Sequence, residues 1–143
     1  MIRKLQKVDI NRVADIWLKT NLKAHFFIPE QYRISNYEFV KEILPQAEVY
    51  VYEDDKMIQG FIGVSDEYIE GIFVSDEMQS CGIGKMLLDY IKDKKDKLQL
   101  KVYQKNVRAM SFYQREGFTI QSEEMDEFTR EKEYVMNWES SGI

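Results

Sequence analysis

The alternation of apolar and polar positions from Ile2 to Val8 predicts a short strand. Asp9 follows in the position of a helix N-cap. Ile10, Val13, Ala14, Ile16 and Trp17 then recur at helical spacing, predicting a first helix to about Asn21. Leu22 to Gln31 carries His25, Phe26, Phe27, Ile28 and Pro29 and reads as an aromatic turn. Ser35 or Asn36 is placed to cap a second helix bearing Phe39, Val40, Ile43 and Leu44, which Pro45 stops. Glu48–Glu53 and Met57–Val64 are β-rich around an Asp54-Asp55 turn, a hairpin pattern, and Tyr68–Val74 adds a third strand. After a glycine-containing loop, Ile83, Leu87, Leu88 and Ile91 form a helical stripe. It runs into Lys92, Lys94, Lys95 and Lys97, cations that favour a helix C-terminus. Leu98 to Tyr103 alternates as a strand, and Asn106 to Glu116 reads as a helix that Gly117 ends at C′. Phe118–Glu127 and Glu133–Trp138 close the chain as strands.

The order β-α-α-β-β-β-α-β-α-β-β predicts an α/β (α+β) fold with one mixed sheet and helices on its faces. With no internal repeat and no linker-like stretch, residues 1–143 form a single domain, a length able to bury a core without staples.

Twenty basic against twenty-five acidic residues give a formal charge of −5, so no nucleic-acid-binding face is expected. A single cysteine, Cys81, excludes a disulfide framework and fits a reducing, cytoplasmic setting. One His and one Cys also argue against a zinc site, and no metal is expected. The early charges Arg3, Lys4 and Lys7 do not suit a signal peptide, and no apolar run is long enough to span a membrane.

The segment Val74-Ser75-Asp76-Glu77-Met78-Gln79-Ser80-Cys81-Gly82-Ile83-Gly84-Lys85 carries the chemistry. A strand ends, glycines follow, and a helix begins. Unpaired N–H groups and the positive dipole end at a helix start make an anion cradle, and glycines let a phosphate approach the backbone. The nucleotide P-loop does not fit, because Gln79 and Met86 stand where it needs Gly and Ser or Thr. A dinucleotide fingerprint fails at Leu87, where its third glycine belongs.

Gln79-x-x-Gly82-x-Gly84 resembles the pyrophosphate-binding motif of the GNAT family of N-acetyltransferases. A second signature follows at the family's distance: Asn106-x-x-Ala109-x-x-Phe112-Tyr113-x-x-x-Gly117-Phe118. The strand Ile69–Val74 resembles the family's fourth strand, and the element order matches from residue 2 to residue 138. The resemblance implies splayed central strands with acetyl-coenzyme A, the co-substrate, lying between them. It implies that Ile72, Phe73 and Val74 face the pantetheine arm, the Val74 N–H polarising the acetyl carbonyl. Gln79, Ser80, Cys81, Gly82, Ile83, Gly84 and Lys85 would hold the pyrophosphate. Asn106 and Tyr113, two helical turns apart, share a face. On the resemblance, Asn106 bonds the pantetheine and Tyr113, beside Phe112, protonates the leaving thiolate; otherwise Asn106 is an N-cap and Tyr113 a core aromatic.

The implied reaction is acetyl transfer to a primary amine by direct attack in a ternary complex. The acceptor is a small amine, or a lysine or N-terminal amine of a protein. A non-catalytic coenzyme A-binding module is the alternative. A homodimer is compatible with either. The attacking amine must lose a proton, and Glu70, which shares strand parity with Ile72 and Val74 unless a bulge intervenes, is the first candidate base. Glu67 and His25 follow, His25 because imidazole suits proton transfer near neutral pH. Cys81, with no adjacent His, is not expected to act as a nucleophile. Residues 121–133 hold six acids (Glu123, Glu124, Asp126, Glu127, Glu131, Glu133) and two bases, a face that could steer a cationic acceptor or simply be solvated.

Overall fold

A computed structural model describes residues 1–141, with Tyr32 and Arg33 described by backbone alone. The order is β1 (Ile2–Lys4), α1 (Ile10–Ala24), α2 (Glu30–Ser35), α3 (Tyr37–Ile43), β2 (Glu48–Asp54), β3 (Met57–Ser65), β4 (Tyr68–Val74), α4 (Ile83–Lys92), β5 (Lys97–Tyr103), α5 (Val107–Arg115), β6 (Thr119–Met125) and β7 (Lys132–Glu139). The seven strands form one sheet in the order β1-β2-β3-β4-β5-β7-β6. This is the expected mixed sheet with one extra short helix.

Three differences from the sequence pattern have local causes. The first strand ends at Lys4 because Asp9 does not cap α1 with its side chain. Its carboxylate accepts from the Gln6 N–H at 2.8 Å and takes Arg3 in a two-pronged ion pair at 2.8 and 3.1 Å, drawing residues 7–9 into a 3₁₀ turn. The second predicted helix stands as α3 behind Asn36, and α2 is an added helix over Glu30–Ser35, where the pattern predicts the end of the aromatic turn and no helix. β6 stops at Met125 because Asp126 turns the chain, its Oδ1 accepting from the N–H groups of Phe128 and Thr129.

β3 is buried on both faces from Ile58 to Val64 and divides the core. On one side Ile62, Val64, Ile69, Leu98, Leu100 and Met136 pack against Leu87, Leu88 and Ile91 of α4. On the other, Val49, Val51 and Phe61 pack against Val13, Ala14 and Ile16 of α1 and Val40 of α3. Each such side chain contributes about 1.5–3 kcal/mol on burial, so the sheet is clamped between its helices. β5 lacks cover on one face: Lys97, Gln99 and Lys101 are exposed while Leu98, Leu100 and Val102 are buried.

Two irregularities in β4 open the sheet. β3 and β4 pair as Gly63 with Gly71 and then Val64 with Ile69, leaving Glu70 as the extra residue of a bulge. β4 and β5 run parallel but share one register pair, Tyr68 opposite Gln99, supported by the Gln99 N–H donating to Glu67 O at 2.8 Å. Past that point no pairing joins them among the described residues, and their C-terminal ends diverge as the expected splay.

Candidate active site

The splay opens into a cavity of about 770 Å³ between the end of β4, the start of α4, one face of α5 and the end of α1. That volume lies within the range of ligand pockets. Of the residues assigned to it from sequence, Ile72, Phe73, Val74, Gln79, Ser80, Gly82, Ile83, Gly84, Lys85, Asn106, Phe112, Tyr113 and His25 line it. Cys81 and Glu70 are not among the lining residues. The Cys81 thiol is exposed and lies 3.8 Å from Gln79 O, so only its backbone belongs to the loop.

The loop geometry follows from two left-handed residues. Ser80 has φ +66° and Gly82, the N-cap of α4, has φ +85°. A Cβ on Gly82 would meet no atom within 4 Å, and one on Gly84 would only touch Phe112 at 3.6 Å. Packing within the chain therefore does not demand glycine at position 84, where it lowers helix propensity. The approach of a ligand to the backbone does. The first-turn N–H groups of α4 have no partner within the helix, and their residues Ile83, Gly84 and Lys85 line this space. Gln79 Nε2 donates to Val74 O at 3.1 Å, tying the loop back to β4.

Arg108, which the sequence motifs do not single out, donates to Gln79 Oε1 at 2.7 Å and Ser80 Oγ at 3.1 Å. With Lys23, Lys85, Lys105 and Arg115 it makes five lining cations against one lining carboxylate, Glu116, though Lys23, Lys85 and Lys105 also pair with Asp76, Asp89 and Glu131, which do not line it. A cationic cleft in a chain of net charge −5 fits a multiply phosphorylated ligand. A signal for it is present in the sequence. Lys85 and Arg108 both sit in the first turn of a helix, where a cation opposes the dipole unless an anion compensates. The open backbone cradle and this charge fit the pyrophosphate and phosphate of coenzyme A.

Tyr113 is buried, with its ring edge-on to Phe112 and Phe118 at 5.3 and 5.6 Å. Its hydroxyl has no hydrogen-bond partner among the described residues. Burial pushes its pKa well above the ordinary tyrosine value, and nearby Tyr68 adds to the shift. The phenol is protonated at neutral pH. Asn106 is the N-cap of α5, its Oδ1 accepting from the Ala109 N–H at 3.3 Å, while its Nδ2 reaches His25 Nε2 at 3.3 Å.

The carboxylate candidates separate. The bulge removes the parity argument for Glu70, which is exposed and accepts from Ser65 Oγ at 3.1 Å. The structure does not bring it to the cleft. His25 does reach it, but both ring nitrogens are engaged, Nδ1 with Asn21 Oδ1 at 3.0 Å and Nε2 with Asn106. Tyr68 is not singled out from sequence, and Glu133 is named only among the acids of the 121–133 segment. Tyr68 sits where β4 and β5 part, its pKa raised first by burial and then by Glu70, with Lys101, Glu133 and Glu124 also within electrostatic reach. Glu133 pairs across the ladder with Tyr103 and is half-buried. Burial raises its pKa, with Asp126 and Glu124 acting in the same direction.

Residues 45–120 match the family described as acetyltransferase (GNAT) domain. The chain is 31% identical over 140 residues to the peptidyl-lysine N-acetyltransferase YiaC of Escherichia coli strain K12, covering 96% of each chain. It is 26% identical over 121 residues to the peptidyl-lysine N-acetyltransferase YjaB of the same organism, 83% of this chain and 82% of that one. The solution structure of apo-form YjaB from Escherichia coli superposes with a TM-score of 0.87 at 21% identity, over 99% and 98% of the two chains. The structure of yncA from Salmonella typhimurium with acetyl-CoA superposes at 0.70 with 18% identity, over 100% and 95%.

Proposed function

The chain belongs to the GNAT acetyltransferases and takes its acetyl group from acetyl-coenzyme A; from that premise we propose that the acceptor is the ε-amine of a lysine on a protein surface. The observation that carries this reading is the uncovered sheet face beside the splay. There Glu70, Glu124 and Glu133 surround Tyr68 and Lys101, and Lys101 is already paired with Glu124 at 2.9 Å. A predominantly acidic sheet face beside the splay, outside the cavity itself, suits a cation presented on a protein. Peptidyl-lysine specificity in the relatives at 31% and 26% identity supports the same reading.

Acetyl-coenzyme A supplies the activated thioester. The backbone of the 79–85 loop, with Lys85 and with Arg108 from α5, would hold its phosphates, and β4 would lie along the arm. The lysine enters over the acidic face, loses its proton to solvent or to Glu133, whose raised affinity for protons suits a base, and attacks directly. The N–C bond forms as the C–S bond breaks, Tyr113 gives its phenolic proton to the departing thiolate, and the second proton shed by the acylated nitrogen passes through solvent to restore the phenol. No covalent enzyme intermediate is involved, and Cys81 takes no part. The free thiol of Cys81 is in keeping with a cytoplasmic location, which belongs to this reading.

The test is acceptor choice. Thiol release from acetyl-coenzyme A is measured with a lysine peptide blocked at its N-terminus, the same peptide with arginine for lysine, and a small polyamine. The expected result is release with the lysine peptide alone, with the acetyl group on its ε-nitrogen by mass spectrometry. A kcat/KM higher for the polyamine overturns the reading.

A further inference from the structure

The turn after α1 reaches across the cleft mouth and is tied to α5 through one imidazole. His25 closes the end of α1, its N–H donating to Asn21 O at 2.9 Å. Its ring stands edge-on to Tyr103 at the end of β5, centroids 5.0 Å apart, and to Phe27 at 5.8 Å. Phe27 in turn lies 5.5 Å from the Tyr103 ring and carries Lys105 Nζ over its face at 5.6 Å.

The amides on either side of the imidazole are each oriented by backbone. Asn21 Nδ2 donates to Trp17 O at 2.7 Å, so Oδ1 is the atom left to meet the ring. Asn106 Oδ1 accepts from the Ala109 N–H, so Nδ2 is the atom that meets it. An amide oxygen only accepts and an amide nitrogen only donates. The network therefore assigns the proton to Nδ1 and the lone pair to Nε2. Asn106 has two N–H donors, of which His25 takes one, leaving the other for a ligand in the cavity that Asn106 lines.

We propose that His25 is a positioning residue for coenzyme A: its Nε2 lone pair fixes the Asn106 amide, so that the turn after α1 and the cofactor cleft are coupled through the 25–106 hydrogen bond. The inference rests on the cleft being the coenzyme A site and not on which amine is acetylated. Asn106 faces two tasks, capping α5 and presenting a donor to the cleft, and the capping bond alone leaves its amide able to tilt. The imidazole removes that freedom. It also accounts for a histidine at the cleft whose nitrogens are both already engaged and which is therefore poorly suited to take the amine's proton.

The test uses side chains that imitate one ring nitrogen at a time, with calorimetry of coenzyme A itself as the readout. Gln at position 25 extends an amide oxygen to the place of Nε2, whereas Asn reaches only the place of Nδ1. His25→Gln is expected to bind coenzyme A within about twofold of the wild type, and His25→Asn roughly tenfold more weakly, about 1.4 kcal/mol. In an Asn106→Ala background the His25→Asn change is expected to add nothing further. Thermal unfolding of every variant checks that the fold is held. Equal affinities for the Gln and Asn variants, or an Asn effect that persists without Asn106, overturn the proposal. A wild type that does not bind coenzyme A fails the assignment of the cleft instead.

Discussion

Among the described residues Tyr68 and Gln99 form the one register pair that joins β4 to β5, and the strands part beyond it. Because the strands part there, Tyr113 from α5 and Tyr68 from the uncovered sheet face come within electrostatic reach of each other across the sheet. The sheet is thus open between Tyr113, which lines the cavity, and Tyr68 on the uncovered face.

The phosphate cradle gives the first prediction. Gly84→Asp adds a Cβ in ordinary contact with Phe112 and a carboxylate at a helix start, a change the fold accepts. Gly82→Asp keeps a residue that tolerates the left-handed φ of +85° better than most. Both put negative charge against the phosphates. Coenzyme A binding by calorimetry should be lost in each, with the circular dichroism spectrum unchanged. Normal binding by both variants would contradict the assignment of the loop.

Arg108→Ala removes the guanidinium that bridges Gln79 and Ser80. Coenzyme A affinity should fall roughly tenfold at low ionic strength. The gap from wild type should narrow as sodium chloride is raised, since the group is exposed and its field is screened. A gap independent of salt would mean that Arg108 acts by shaping the loop and not by its charge.

The acid side of the stability profile is set in part at the other end of the molecule. The ion pair with Arg3, helped by the Gln6 N–H, holds the Asp9 carboxyl below its ordinary pKa. A depressed folded pKa gives stability that is present above the unfolded value of about 3.9 and lost as pH falls through the folded one. Asp9→Asn should therefore cost about 1–3 kcal/mol at pH 7 and flatten the loss below pH 4. Glu133 has the opposite sign. Its raised pKa gives stability below the unfolded value that is lost as pH rises through the folded one, so Glu133→Gln should flatten the profile above pH 4. Urea titrations from pH 2 to pH 7 read both.

Much of the fold and the cleft is legible in the residues. The hairpin, the glycine loop, the α4 stripe and the Gly117 cap all stand where the pattern puts them, because each is a local signal. The cleft residues Gln79, Gly82, Asn106 and Tyr113 follow from two motifs whose spacing the fold preserves. Glu70 could not be placed, because one inserted residue reverses strand parity and alternation does not encode a bulge. His25 is visible as a histidine in an aromatic turn. Its partner Asn106 lies 81 residues away, a pairing that only the closed sheet creates. Arg108 escapes notice because a cation at a helix start reads as surface until something anionic is placed opposite it.

Acetyl transfer in the splay, with Tyr113 as the acid, is tested most directly by Tyr113→Phe, measured by thiol release under conditions where chemistry limits the rate, beside calorimetry of coenzyme A. The ring and its contacts with Phe112 and Phe118 are kept, and only the hydroxyl is lost. Turnover should fall ~10²–10⁴-fold with coenzyme A affinity unchanged. Near-native turnover, or a loss matched by an equal loss of coenzyme A binding, would contradict it.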